Sequence, residues 1–374
     1  MKKIVATMPT FSEKDILFIN KNFKEILSGK SFLSQYKFSE QFEKEFASYI
    51  GTDFAVTCNS GTSALELIFR ALNVNNKEVI LPSNTFIATA NAILNAGGVP
   101  VFADCDENMC LDYVDAIKKI SKKTVAICHV HIGGILTDSA IRLAKYCKEN
   151  DLYFVEDAAQ AHGSMNKNIK AGTLGIAAGF SFFSTKVMTT GEGGMVTTND
   201  SILVEKMKSM REFGKVKKGI FTNYHTQIGY NWRMPEVSAL MGLRQLQSIE
   251  KFIEKREKIG SFYDEAFAEI KTIDIVKPST KSRFNYFKYS IILPEHIDRE
   301  MVHKSMAKHG IELSGYVYEL PLHKQPIFSD YNSVTLKKTE QVCRQHICLP
   351  IYPLLELSDA KYISQAFINI INAN

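Results

Sequence analysis

Much that would place this chain quickly is missing from it. No uncharged apolar stretch approaches the roughly 20 residues a membrane helix needs, so no membrane span is expected. The opening MKKIVATMPTF carries two lysines but is broken by Thr7, Pro9 and Ser12 before an apolar core can form, which is not the layout of a secretory signal. The seven cysteines are odd in number and include no CxxC pair, which argues against a zinc site or a disulfide scaffold. Several sit in apolar runs, as Cys128 does in TVAICHVHI, where a buried free thiol is the plain reading. A reducing, cytoplasmic setting follows. Charge of one sign is lacking too. Lys+Arg number 45 against Asp+Glu 40, and a net +5 spread over 374 residues offers no concentrated basic face for nucleic acid. Neither GxxxxGK[ST] nor GxGxxG occurs, so neither ATP nor NAD is signalled.

Apolar material is plentiful. With 45% hydrophobic and 23% charged residues, the chain can build two or three domain-sized cores and is no candidate for disorder. Between about residues 50 and 200, short apolar runs alternate with longer amphipathic ones. FAVTC (54–58), EVILPS (78–83), VPVFADC (99–105), TVAICHVH (124–131), LYFVEDAA (152–159), AGFSFF (178–183) and GMVTTND (194–200) read as strands. Most are near-continuous apolar runs, the pattern of strands covered by helices on both faces. After Thr62, the residues Ala64, Leu65, Leu67, Ile68, Ala71 and Leu72 have helical spacing, and residues 140–149 read similarly. The expected fold class is α/β, a three-layer α/β/α large domain around a mainly parallel seven-stranded sheet. Residues 235–269 read as one long helix. Beyond it come a strand-like FNYFKYSIIL (284–293), a helix-like DREMVHKSMAKHG (298–310) and a last helix near 359–373. This divides the chain into a large domain over 1–249 and a smaller α+β domain over 250–374, with residues 1–30 expected to pack with the small domain.

Three segments carry chemistry. In Asn59-Ser60-Gly61-Thr62-Ser63, a glycine between a strand and an amphipathic helix leaves backbone N–H groups free at a helix start, which favours an anion. A plainly capped helix would look the same. Glu156-Asp157 ends the apolar strand LYFV, where open α/β sheets place ligands. A charge delivered there is costly unless a cation meets it, although a lone aspartate is more commonly a turn or cap. His162, nearby, reads as a structural histidine. Phe180-Ser181-Phe182-Phe183-Ser184-Thr185-Lys186, followed by Thr189-Thr190-Gly191-Glu192-Gly193-Gly194, sets a lysine just past an aromatic strand. Desolvation would lower its pKa, and a neutral amine can form a Schiff base with a carbonyl. A surface lysine is the bland alternative. Taken together, a phosphate cradle, a strand-end carboxylate and a strand-end lysine are the ordered parts of a pyridoxal 5′-phosphate (PLP) enzyme.

Longer segments carry a resemblance. FEKEFASYIG, TCNSGTSAL, LPSNTFIATANAIL, VEDAAQAHGS, GFSFFSTK, TTGEGGMVTTND and GYNWRMPEVSALMGLRQL follow one another over residues 38–246, and ELPLHKQPIF and ICLPIYPLL come later. In these the chain resembles the DegT/DnrJ/StrS family, PLP-dependent nucleotide-sugar aminotransferases of the aspartate-aminotransferase fold (fold type I). The resemblance implies that Lys186 links to the cofactor and shuttles the proton between donor Cα and cofactor C4′. It implies that Asp157 pairs with the pyridine nitrogen, Gln160 with the phenolic oxygen, and that Phe86 stacks on the ring face opposite the lysine. Gly61, Thr62, Ser63 and Ser181 would hold the phosphate. Asn231 would reach the neighbouring subunit's phosphate site, in a homodimer with shared active sites, whereas composition alone makes it a loop asparagine.

One branch of the family replaces the lysine by histidine and dehydrates sugars, so Lys186 favours transamination. L-glutamate would leave its amine on the cofactor as pyridoxamine 5′-phosphate, for delivery to a nucleotide-linked 3-keto or 4-keto sugar, expected to be 6-deoxy, in amino-sugar biosynthesis. A sugar dehydratase, a cyclitol aminotransferase and a non-catalytic regulatory protein on the same fold are the alternatives. Residues 28–36 lack a second glycine often found there, and His129 and Ile132 also depart from the common pattern; both bear on sugar preference. For the substrate, Tyr316, Tyr318, His323 and Lys324 in GYVYELPLHKQ are candidates. Tyr318 and His323 lead, His323 on the resemblance, while packing on a half-buried strand is the better reading of at least one of Tyr316 and Tyr318.

Overall fold

The seven apolar runs form one sheet. The computed structural model describes residues 3–29, 32–278, 282–314 and 319–373. Helices α1 (Glu13–Leu27) and α2 (Lys37–Ile50) precede the sheet. Strand β1 (Phe54–Cys58) then leads into α3 (Gly61–Ala71), β2 (Glu78–Pro82) into α4 (Ile87–Asn95), β3 (Val99–Ala103) into α5 (Tyr113–Lys118), and β4 (Thr124–Val130) into α6 (Asp138–Glu149). After β5 (Tyr153–Asp157) comes a small hairpin of β6 (Met165–Asn166) and β7 (Ile169–Lys170), then β8 (Ala177–Ser181) and β9 (Gly194–Thr198). Helix α7 (Ser201–Arg211), a second hairpin of β10 (Lys215–Lys218) and β11 (Phe221–His225), and the long α8 (Glu236–Ala266) follow. The remainder holds β12 (Asp274–Val276), β13 (Ser282–Arg283), β14 (Tyr289–Ile292), α9 (Arg299–Lys308), α10 (Lys337–Gln345), β15 (His346–Leu349) and α11 (Leu357–Asn372).

The large sheet has the order β1-β9-β8-β5-β4-β2-β3. The expected mainly parallel sheet is present: β3, β2, β4, β5 and β8 run parallel, and only β9 runs against its neighbours β8 and β1. The reversal has a local cause. The β8–β9 connection holds no helix, and a parallel crossover requires a longer one that usually does. Adjacent residues of each strand face opposite layers, as the two-residue period demands. Val56, Leu81, Val155 and Val196 pack with Leu65, Ile68 and Phe69 of α3, while Ala55, Ala178, Phe180 and Met195 pack with Phe42 and Phe46 of α2 and Leu240 and Leu243 of α8.

A second core surrounds the three-stranded sheet β12-β14-β15. It contains Tyr289, Ile291, Ile347 and Leu349 from the strands, Val302 and Met306 from α9, and Ile363 and Phe367 from α11. Helix α8 belongs to both cores. Its Leu246, Ile249 and Ile253 pack with the large sheet, and its Ile259 and Tyr263 with the small one, so the expected boundary at residue 250 falls inside a helix. The N-terminal segment also divides. Ile4 bridges to Ile311 and joins the small core, whereas Ile26 of α1 joins the large one and Asp15 pairs with Arg244 of α8.

One expected element is shorter than its sequence suggests. Of FNYFKYSIIL, only Tyr289–Ile292 is strand in the small sheet. Tyr286 takes a left-handed φ of 46°, and the Asn285 side-chain oxygen accepts from the Phe287 amide at 2.9 Å, so the chain turns before the strand begins.

Candidate active site

Parallel strands β4 and β5 end side by side, with Val130 opposite Asp157, and Asp157 in turn opposite Gly179 of β8. This register brings the strand-end carboxylate, the β8–lysine segment and the start of α3 to the same edge of the sheet. Ser60 caps α3 by accepting the Ser63 amide at 3.1 Å, and the Ser63 hydroxyl donates to Asn59 Oδ1 at 2.7 Å. The first N–H groups of the helix, on Gly61 and Thr62, lie beyond the reach of intrahelical bonding and face outward. Glycine at position 61 is a matter of space: a Cβ there would sit 2.7 Å from the Ser181 Cβ and 3.2 Å from its Oγ. Its absence lets β8 bring the Ser181 hydroxyl against the helix start, which makes an anion cradle from two elements.

Asp157 is buried, and its Oδ2 accepts from the Thr89 hydroxyl at 2.7 Å while Oδ1 accepts from the Ala159 amide at 3.2 Å. Burial pushes its carboxyl above the usual range, against the opposing pull of the Thr89 bond, the Ala159 amide and the Lys186 charge. Glu156, its neighbour on the other face, has a structural task. It pairs with His131 Nε2 at 2.9 Å and accepts the amides of Gly172, Leu174 and Gly175, tying β5 to the loop before β8. His162 is fully buried among Phe46, Phe180 and Phe182, and burial pushes it down to about 3, so it packs as a neutral ring.

Lys186 follows β8 and places its Nζ 5.0 Å from the centre of the Phe287 ring. Desolvation lowers its pKa to about 8; the Asp157 charge opposes this shift and the Lys288 charge adds to it. A neutral amine is therefore accessible near neutral pH, where an ordinary lysine offers almost none. The direction sets a measurable consequence. The rate at which the apoprotein takes up PLP should rise with pH through about 8 and level off above it, followed by the growth of yellow colour in stopped flow. A rate still climbing steeply from pH 9 to 10.5 would contradict this placement of the lysine.

Gln160 is buried near this centre, its Oε1 accepting from the Gly133 amide at 2.8 Å and its backbone carbonyl from Asn285 Nδ2 at 2.8 Å. Phe86 precedes α4 with its ring 58% exposed, an unusual placement for a phenylalanine and one that leaves a free face at the strand ends. Asn231 is exposed in the segment before α8, which runs beside the α3 cradle: the Trp232 carbonyl accepts from the Asn59 amide at 3.0 Å. His323 departs from its expected substrate role. It is fully buried, with Nδ1 2.7 Å from the Ser83 hydroxyl and Nε2 3.1 Å from Glu340, so it pins the short Leu322–Lys324 helix to the end of β2 and presents no atom to a substrate. Tyr316 and Tyr318 lie outside the described residues.

Three contributors escaped the sequence reading. Thr89 is a plain helix threonine in sequence, Asn285 clamps the Gln160 and His162 carbonyls at 2.8 and 3.0 Å, and Phe287 carries the ring beneath Lys186. Their only sequence signal was position within segments already singled out.

The donor set suits PLP: an anion cradle for a phosphate, a carboxylate in want of a cation for a pyridine nitrogen, and an amine able to lose its proton for an aldehyde. A family profile, DegT/DnrJ/EryC1/StrS aminotransferase, matches residues 14–368. The chain belongs to that family. Its aminotransferases depend on PLP, which is the cofactor the residues had implied. A GDP-perosamine synthase of Escherichia coli O157:H7 is 32% identical over 369 residues, spanning 98% of both chains. A UDP-4-amino-4,6-dideoxy-N-acetyl-beta-L-altrosamine transaminase of Helicobacter pylori is 31% identical, over 98% of this chain and 97% of the relative. Among solved structures, Helicobacter pylori PseC, an aminotransferase involved in the biosynthesis of pseudoaminic acid, superposes with a TM-score of 0.93 at 30% identity, covering 100% of each chain. The expected α/β architecture of fold type I holds throughout.

Proposed function

We propose that this protein transfers the amino group of L-glutamate to a nucleotide-linked keto sugar, in amino-sugar biosynthesis. The observation that carries the reading is the meeting of a desolvated Lys186 amine and a buried Asp157 carboxyl, each within the other's field, at the edge where α3 begins. Bound PLP would supply a carbonyl that receives the amino group and a ring that stores an electron pair. The chain's own residues do the rest. Asp157, oriented by Thr89, would hold a proton on the ring nitrogen; Lys186 Nζ would carry a proton from the donor carbon to cofactor C4′ in the first half of the cycle and from C4′ to the sugar carbon in the second; the Gly61 and Thr62 amides with Ser181 would hold the phosphate. Gln160 would hold the phenolic oxygen, and the exposed Phe86 would stack on the ring.

The name of the Helicobacter pylori relative puts its amine on a 4,6-dideoxy sugar, which favours a 4-keto-6-deoxy acceptor over a 3-keto one. Asn231, exposed and beside the cradle segment, supports a homodimer in which it reaches the partner's phosphate. The division into a PLP-binding domain to residue 249 and a small domain beyond it is part of the same reading. So is a cytoplasmic setting, which seven free, buried cysteines suit. Among the described residues, no helix is long and apolar enough to cross a membrane.

The test is a two-step titration. Purified protein loaded with PLP should turn from yellow to colourless with L-glutamate alone, releasing 2-oxoglutarate. Added GDP- or UDP-linked 4-keto-6-deoxy sugars should then restore the colour and yield an amino sugar of the expected mass. No bleaching by glutamate would sink the donor; bleaching without sugar product across the panel would sink the acceptor.

A further inference from the structure

Lys288 is a cation that the proposed chemistry leaves unused. It begins the small-domain side of the site, one residue before β14, and is partly buried. Its Nζ lies 5.3 Å from the centre of the Phe287 ring, the same ring over which Lys186 sits at 5.0 Å. Two ammonium groups thus share one aromatic ring, and each is close enough to the other for the Lys288 charge to depress the Lys186 pKa. Among the described residues, the one hydrogen bond Lys288 Nζ makes is to the Ser314 hydroxyl, at 2.9 Å. Arg256, the next cation, is buried; its Nη1 donates to the Tyr286 and Ile351 carbonyls at 3.0 and 2.8 Å, and its Nε has no partner among the described residues. Among the described residues no carboxylate pairs with Lys288 or with Arg256.

Desolvated cations that lack an acidic partner are costly, and the cost is recovered when an anion arrives. An anion received by Lys288 would lie in the field of Lys186, whose amine sits by the same ring and already feels the Lys288 charge. We infer that Lys288, held by Ser314, receives a carboxylate of the amino donor, which makes it a specificity residue for dicarboxylic amino acids. The inference rests on the transamination reading above. Ser314 holds the ammonium through one of its three donors and, among the described residues, leaves two for a carboxylate. The Phe287 ring, within about the same distance of both amines, ties the two cations to one place in the fold. A bound carboxylate would also relieve the repulsion between Lys288 and Lys186, so donor binding and proton transfer would be linked.

The experiment uses PLP-loaded protein and glutarate, an unreactive dicarboxylate, with binding read by calorimetry and by the change in cofactor absorbance. Lys288→Met should weaken glutarate at least about tenfold, as expected for loss of a charge-assisted hydrogen bond, while Lys288→Arg should stay within about threefold of the parent. In turnover, Lys288→Met should raise the KM for glutamate by a similar factor and leave the KM for the nucleotide sugar within about twofold. Retained cofactor colour and a native circular dichroism spectrum identify a folded variant. Glutarate affinity unchanged in Lys288→Met would overturn the inference. So would a loss that falls on the nucleotide sugar, which would assign Lys288 to the diphosphate, or one shared equally by both. Because glutarate binding needs no turnover, a protein that proves unable to use glutamate would fail the transamination reading separately.

Discussion

Lys186→Ala should leave a folded protein that takes up PLP without turning yellow and transaminates at least about 10⁴-fold more slowly, since it loses both its covalent anchor and its acid–base group. The fold should survive because the side chain is only partly buried and lies over a ring rather than in a packed core. Circular dichroism and thermal melting of the apoprotein check that half of the expectation, and single-turnover assays with glutamate check the other. Soaking the variant with a small primary amine should restore a measurable fraction of the proton transfer, because the missing group is an amine in an otherwise intact site. A variant that stays yellow would move the anchoring role to another lysine, and Lys288 is the nearest one the structure offers.

Asp157→Asn should separate stability from activity. The asparagine keeps the shape and can still accept from Thr89, but it carries no charge to hold a proton on the pyridine nitrogen. The expected loss in kcat is about 10²–10³, the scale for removing one preorganised electrostatic partner. The apoprotein should respond in the opposite sense. The folded carboxyl has a pKa above its ordinary value, so the folded state binds more protons than the unfolded one between those two values, and stability falls as pH rises through that window. Above it the penalty is fully present, and the asparagine variant is free of it. At pH 8 the variant apoprotein should therefore melt at or above the parent temperature while the loaded enzyme is crippled. A variant that is both less stable and fully active would mean that Asp157 serves the fold and not the cofactor.

The strands were legible because parallel strands buried on both faces leave unbroken apolar runs, and the start of α3 because its glycine and hydroxyl residues sit at the junction of two periodicities. Asp157 and Lys186 were legible because each ends such a run, where a charge has no business unless something meets it. What escaped depends on contacts between distant segments. Thr89 is 68 residues from the carboxylate it orients, and the ring beneath Lys186 comes from a segment read wholly as strand. The turn at Tyr286 that presents Phe287 and Lys288 has no glycine or proline to announce it. His323 misled for the complementary reason: a histidine beside a lysine looks like a ligand until Ser83 and Glu340, from elsewhere in the chain, are found on both nitrogens.

Helix α8 has one more consequence, and it is mechanical. Its 31 residues line two cores in succession, so the helix sets the phase between them as a shaft does between two gears. Each residue advances the shaft by about 1.5 Å and turns it by about 100°, given 3.6 residues per turn. Adding or deleting a single residue between Ile253 and Ile259 would swing Tyr263 out of the small core and shift that core against the large one, where Phe287 packs. Length changes in descendants of this chain should spare this interval, where a change of count alters the phase between the two cores.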